Sequence, residues 1–179
     1  MHLIKIFSKI KKVFFNRFII ESRNLYIRIT LKYGQLFHKK KILPTLSIIR
    51  EFHAPPYGGG NQYMLYLVKE LRRMGFDVKI NSFSKKVKLF IVDYCWFNSK
   101  FEKKIIIHKA KYNSKLVHRI DGLLTEYSST SRFELDELAL RLNAHADLTI
   151  VQSQYSMNQF HENKKSLKKT KIIYNSVDR

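Results

Sequence analysis

Pro55-Pro56-Tyr57-Gly58-Gly59-Gly60 is the stretch on which the fold turns, because an apolar strand runs into it and an amphipathic helix runs out. Residues 46–50 read as a buried strand, and the prolines and glycines end it. From Asn61 the apolar positions Met64, Leu67, Val68, Leu71 and Met74 recur at helical spacing. Glycines at a helix entrance leave backbone N–H groups free at the positive end of the helix dipole. Without Cβ atoms they also let a phosphate approach the main chain. The same glycines would serve a tight turn that needs them only for its backbone angles, and the loop alone leaves both readings open.

Working outward, Gly75 is a natural C-terminal stop for that helix, and residues 77–81 and 87–92 read as two short strands separated by a polar turn. Residues 98–112 read as a helix, although Ile105-Ile106-Ile107 could equally begin a strand. Residues 115–120 form a strand ending in Asp121-Gly122. Ser131-Arg132-Phe133-Glu134 has the spacing of a capping box, opening a helix with Leu135, Leu138, Ala139 and Leu142 inward and Ala146-Asp147 at its end. A strand at 148–151, a short helix capped by Ser153 and running to Phe160, and a strand at 171–174 complete the order. Strands alternating with helices predict an α/β, Rossmann-like, mostly parallel sheet with helices on both faces. Ligands of such sheets bind beyond the carboxyl ends of the strands, so the glycine loop, Asp121 and Ser153 are expected on one rim.

The size, 179 residues with 45% apolar content, suits one core. The single cysteine, Cys95, has no internal disulfide partner, no Cys/His spacing resembles a zinc site, and a reducing, cytoplasmic setting is the simplest expectation. No apolar run is long enough to span a bilayer, and residues 1–22 lack the pattern of an export signal.

The net charge is +20, from 34 basic against 14 acidic side chains. Residues 1–45 are especially basic, with Glu21 their only acid. There Leu3, Phe7, Ile10, Phe14 and Phe18 fall on one helical stripe and Lys5, Lys9 and Lys12 on another. This segment reads as a basic amphipathic anchor for an anionic membrane surface, which would make the protein peripheral on the cytoplasmic face. The plainer reading is a helix packed on the domain with solvated lysines. Charge of this size also attracts nucleic acid, but no helix-turn-helix, RNP or zinc signature accompanies it, and that partner is not expected.

The glycine loop lacks the Gly-Lys-Ser/Thr of a Walker motif and the third glycine of a dinucleotide fingerprint. Four segments in order carry a different likeness. They are Pro55-Pro56-Tyr57-Gly58-Gly59-Gly60 with its helix, His118-Arg119-Ile120-Asp121-Gly122, Ala146-Asp147-Leu148-Thr149-Ile150-Val151-Gln152-Ser153, and Ile172-Ile173-Tyr174-Asn175-Ser176-Val177-Asp178. Together they resemble the amino-terminal, acceptor-side domain of the group 4 retaining glycosyltransferases of GT-B fold, over roughly residues 46–179.

The resemblance implies transfer of a sugar from a nucleotide-sugar donor to a sugar or lipid-linked acceptor, as in surface polysaccharide or glycolipid synthesis. It implies diphosphate binding at Gly58, Gly59 and Gly60, further binding positions at Ser153 and Asn175, and sugar-side roles for His118 and Asp121. No metal and no tightly bound cofactor are expected. In that family the nucleotide pocket, its phosphate-binding Arg and Lys and a Glu-x7-Glu motif lie on a second domain. The spacing from Glu126 to Glu134 matches that motif only by coincidence. The expectation is therefore a chain that supplies the acceptor-side half, with a separate donor-domain polypeptide as partner. The alternative is a noncatalytic remnant, scaffold or split-enzyme subunit. Ser176 stands where the family's Asn-Gly-Val-Asp has glycine.

Overall fold

A computed structural model describes residues 43–53, 58–126 and 132–174. The membrane-anchor expectation for 1–45 falls almost wholly outside these residues, as do Pro55, Pro56, Tyr57, Ser131 and Asn175. The chain divides into two compact units. Of the described residues, one comprises 43–44, 52–53 and 58–78, the other 45–51, 79–126 and 132–174.

The first unit is built on helix α1 (Gly59–Arg73), which buries Met64, Leu67, Val68 and Leu71, the stripe read from the sequence. It starts two residues earlier than the spacing predicts, inside the glycine run. Gly75 ends it at φ 91°, a left-handed conformation that glycine adopts without strain, and its N–H donates to Arg72 O (2.9 Å). The buried Arg72 guanidinium donates to the Val78 carbonyl (3.0 Å), tying the helix end to strand β2 (Phe76–Ile80). Burial lowers the Arg72 pKa, against the opposing pull of Asp77. At the other end of α1, Asn61 accepts from His53 N (3.2 Å) and donates to His53 O (2.9 Å). One buried amide thus clamps the two sides of the proline-glycine loop together.

The second unit is a parallel sheet. Strands β1 (Leu43–Ile49), β3 (Leu89–Asp93), β4 (Lys115–Ile120), β5 (Leu148–Val151) and β6 (Thr170–Ile172) lie side by side in that order, with the end of β2 beside β1. β1, β3, β4 and β5 carry runs of β-branched and other apolar residues, as strands covered on both faces should, whereas the edge strand β6 is only partly buried. Phe90, Val92 and Leu116 pack with helices α2 (Lys100–Tyr112) and α3 (Phe133–Asn143) through Ile105, Leu138 and Leu142. Leu89, Ile91, Val117 and Ile150, pointing the other way, are equally buried. A second apolar cluster, Tyr94, Cys95, Ile120, Leu123, Ala139, Val151 and Phe160, joins the carboxyl ends of β3, β4 and β5 to α3 and α4 (Gln154–Glu162).

The ambiguous segment at 98–112 is helical, since Ile105 and His108 supply a buried stripe three residues apart. Helix α3 ends at Asn143, short of the expected Ala146-Asp147, and Arg132 at its N-cap position makes no side-chain capping bond. The acid that matters there is Asp136, fully buried where the pattern pointed to Leu135. Strand β6 stops at Ile172, two residues before the expected end.

Candidate functional site

Three apolar strands each end on a charge, and parallel pairing lines those charges up. Ile49 pairs with Val92 and Asp93 with Arg119, so Arg50, Asp93 and Arg119 sit at one level across β1, β3 and β4. Asp93 is fully buried, ion-paired through Oδ2 to Arg50 Nη1 and through Oδ1 to Arg119 Nη1 (2.7 Å). Arg119 Nη2 in turn holds Asp121 Oδ1 (2.6 Å), producing a chain of alternating charge that reaches solvent only at Asp121, whose side chain is 31% exposed. Burial, reinforced by repulsion from Arg119, lowers Arg50 to about 10, with Asp121 and Cys95 opposing the shift. Asn81 fixes the Arg50 backbone, donating to its carbonyl (2.9 Å) and accepting from its N–H (3.0 Å).

Asp121 is also held from below. Its carbonyl accepts from Ser156 Oγ (2.6 Å) and Gln152 Nε2 (3.0 Å). Gly122, at φ 148°, then turns the chain in a way few other residues tolerate. Beyond it the short 3₁₀ turn Leu124–Glu126 hangs on Asp136, whose buried carboxylate accepts from Leu124 N (3.0 Å), Thr125 N (3.1 Å) and Thr125 Oγ1 (2.9 Å). The Tyr94 hydroxyl donates to the same carboxylate. Burial and that bond push the phenol well above its usual range, so Tyr94 is a fixed donor. Burial likewise pushes the Cys95 thiol up to about 12, which makes it a packing residue and not a nucleophile.

Ser153 fills the N-cap of α4 as its sequence position suggests, its Oγ accepting from Ser156 N (3.0 Å) and sharing a hydrogen bond with Ser156 Oγ (2.9 Å). Because Ser156 also bonds Asp121, the ends of β4 and β5 meet in one hydrogen-bonded ledge. The expected adjacency of Asp121 and Ser153 is therefore present. Gly58, Gly59 and Gly60 belong to the other compact unit.

His118 is placed differently from the expectation of a sugar-side residue. It lies within β4 with no exposed surface, one position below Arg119. Its Nε2–H donates to the Tyr94 carbonyl (2.9 Å), and Nδ1 accepts from Asn143 Nδ2 (3.3 Å). Burial lowers its pKa to about 4, against the Tyr94 carbonyl, so the ring is neutral at physiological pH. Both nitrogens are engaged, one with the Tyr94 carbonyl and one with Asn143, so in this conformation neither faces solvent. A strand that alternates sides hides residue 118 and presents residue 121 beyond the strand's end.

At the glycine turn, Gly58 is the N-cap of α1, no side chain caps the helix, and no acid sits in its first turn. A Cβ added at Gly58 or Gly59 would meet no described atom within 4 Å, and neither residue has a positive φ. Packing against the described residues therefore does not require glycine at Gly58 or Gly59. Among the described residues no helix is long and apolar enough to cross a membrane, and no cluster of His, Cys, Asp and Glu could hold a metal. The sequence reading missed Arg50, Asp93, Arg119 and Asp136. For the first three the local signal was a charged residue at the end of an apolar run, and Asp136, inside a helix, had none.

No protein-family model matches the chain, and no curated protein does. Among solved structures it is similar to Anabaena Alr3699/HepE crystallised in complex with UDP (TM-score 0.51, 17% identity). It is similar also to the same protein with UDP and glucose (TM-score 0.50, 18% identity). Each comparison covers 76% of this chain, which spans 45% of the other. The likeness is one of fold: a parallel, Rossmann-like sheet with flanking helices, of the GT-B kind.

Proposed function

We propose that this chain is the acceptor-side half of a nucleotide-sugar-dependent glycosyltransferase. The observation that carries the reading is the fold shared with HepE, a protein crystallised with UDP and glucose, together with a glycine entrance to α1 that is the one uncapped, acid-free helix entrance among the described residues. In this reading the main-chain N–H groups of Gly58, Gly59 and Gly60 donate to the diphosphate oxygens, assisted by the α1 dipole. Asp121, held by Arg119 and by the Ser153–Ser156 ledge, accepts from sugar hydroxyls. Asn175 is offered to the nucleotide. His118 acts as a positioning residue through the Tyr94 carbonyl. Stabilising the diphosphate as it leaves is the larger part of the catalysis, and residues outside this half supply most of it.

A lipid-linked acceptor and attachment of residues 1–45 to an anionic membrane belong to the same proposal, as does a separate donor-binding polypeptide.

Ligand-observed NMR with UDP-glucose tests the reading. Contact that weakens in Gly59→Ala, with Asp121→Ala reducing the signal from the glucose protons, is the expected result. Absence of any contact by the wild-type chain, alone and with a donor-domain polypeptide added, would favour the noncatalytic scaffold. Rapid sugar transfer by this chain alone would overturn the division of labour.

A further inference from the structure

The connections that return the chain to the amino ends of the strands are strongly cationic. Lys85, Lys86 and Lys88 precede β3, Lys109, Lys111 and Lys115 surround the turn into β4, and Lys168 and Lys169 precede β6. The only carboxylate on these connections is Asp147, before β5, and it is neutralised in place. Lys109 bonds it directly, Lys115 lies 3.5 Å away, and its pKa is lowered because these partners outweigh burial, which alone would raise it. The connections form one continuous edge. Lys115 N bonds Lys88 O (3.0 Å), Asp147 N bonds Leu116 O (2.8 Å) and Thr149 N bonds Lys169 O (3.1 Å). Lys85, Lys86, Lys88, Lys111, Lys168 and Lys169 are all exposed, and none is ion-paired to another described residue. From β3 to β6 the edge spans three strand intervals, about 14 Å.

Helix α2 runs down to this edge, and its outer face is unusual. Ile107 is 62% exposed, with Lys103 one turn before it and Lys111 one turn after, both exposed. An exposed aliphatic side chain between lysines on successive turns suits the boundary between lipid headgroups and acyl chains, where the lysine stems extend to the phosphates.

We infer that the amino edge of the sheet, with the outer face of α2, docks on an anionic lipid bilayer. This surface is built from residues 85–115 and 168–169 and lies at the opposite strand ends from Asp121. A nucleic acid is the weaker fit. Among the described residues the exposed aromatic side chains, Trp96, Phe133, Tyr155 and Tyr174, follow strand carboxyl ends or open helices and lie away from this edge, and Ile107 has no role on a phosphate backbone.

Co-sedimentation of the full chain with phosphatidylcholine vesicles containing about one-third phosphatidylserine, at about 0.1 M salt, tests the inference. The variant Lys85→Glu/Lys86→Glu/Lys168→Glu/Lys169→Glu is expected to lower partitioning at least about tenfold. Its circular dichroism should stay unchanged, because every substituted residue is exposed. Ile107→Ser is expected to weaken vesicle binding several-fold and leave binding of a short oligonucleotide unaltered. Unchanged partitioning of the quadruple variant would overturn the inference. So would an Ile107→Ser chain that binds vesicles normally while the lysine variant loses only the oligonucleotide. No turnover enters these readouts, and residues 1–45 are unchanged in every variant, so a loss of partitioning is assigned to the edge and not to that segment.

Discussion

Asp93 and Arg119 face each other across adjacent parallel strands with 2.7 Å between Oδ1 and Nη1, and neither side chain has appreciable solvent exposure. The pair joins Arg50 to Asp121 and converts three separate strand ends into one electrostatic unit.

Replacing Asp93 by Ala leaves two buried guanidinium groups without their shared counter-charge. Loss of one partner from a buried ion pair costs about 3–5 kcal/mol. Urea denaturation of Asp93→Ala should show a loss of that order, and Asp93→Asn a smaller one, because the amide oxygen still accepts from one arginine. A wild-type midpoint in Asp93→Ala would mean that the chain of charges contributes nothing to folding.

His118 makes stability depend on pH. Burial holds the folded imidazole at about 4, below the ordinary 6.5. Between those values the unfolded chain binds the additional proton, so this contribution is complete above pH 6.5 and is lost as the pH falls towards 4. The difference corresponds to about 3 kcal/mol. His118→Asn should therefore lose less stability than wild type on going from neutral to mildly acidic pH, whatever its stability at neutrality. Equal slopes would show that the imidazole protonates in the folded protein.

Gly59→Ala separates fold from ligand. Open space around the position and the absence of a positive φ leave the folded state undisturbed, and a less flexible unfolded chain adds about 0.4–1 kcal/mol of stability. Nucleotide contact should fall at the same time. A large drop in melting temperature would return this turn to a purely structural role.

Ser153→Ala removes the α4 cap and one support of the Asp121 carbonyl ledge. A cost of about 1 kcal/mol is expected. Ser153→Asp, which keeps an acceptor for Ser156 N, should restore most of it. If Ser153→Asp recovers stability but not nucleotide contact, the serine hydroxyl has a binding role beyond capping.

Asp136→Ala should release the 3₁₀ turn, since it strands Leu124 N, Thr125 N and the Tyr94 hydroxyl together. Hydrogen exchange of Leu124 and Thr125 would report this as accelerated opening. Unchanged protection there would assign the turn's order to packing of Leu123 and Leu124.

Much of the architecture was legible in the sequence. The periods of β1, α1, β4 and β5 are dictated by local alternation, and Gly75 and Ser153 stop or start helices through backbone chemistry confined to a few residues. The helical state of 98–112 was not legible. Ile105-Ile106-Ile107 satisfies either period, and only the packing of Ile105 and His108 on the sheet selects one.

The chain by itself determined the order of elements, the glycine entrance to α1 and the strand ends at which Asp121 and Ser153 stand, because each rests on interactions within a few residues. Tertiary structure decided that Arg50, Asp93 and Arg119 share one level, that Asp136 anchors a distant turn and that His118 is sealed in the core. Those outcomes depend on the register between strands that are distant in sequence and on which side chains the helices cover, and neither is encoded in any single segment.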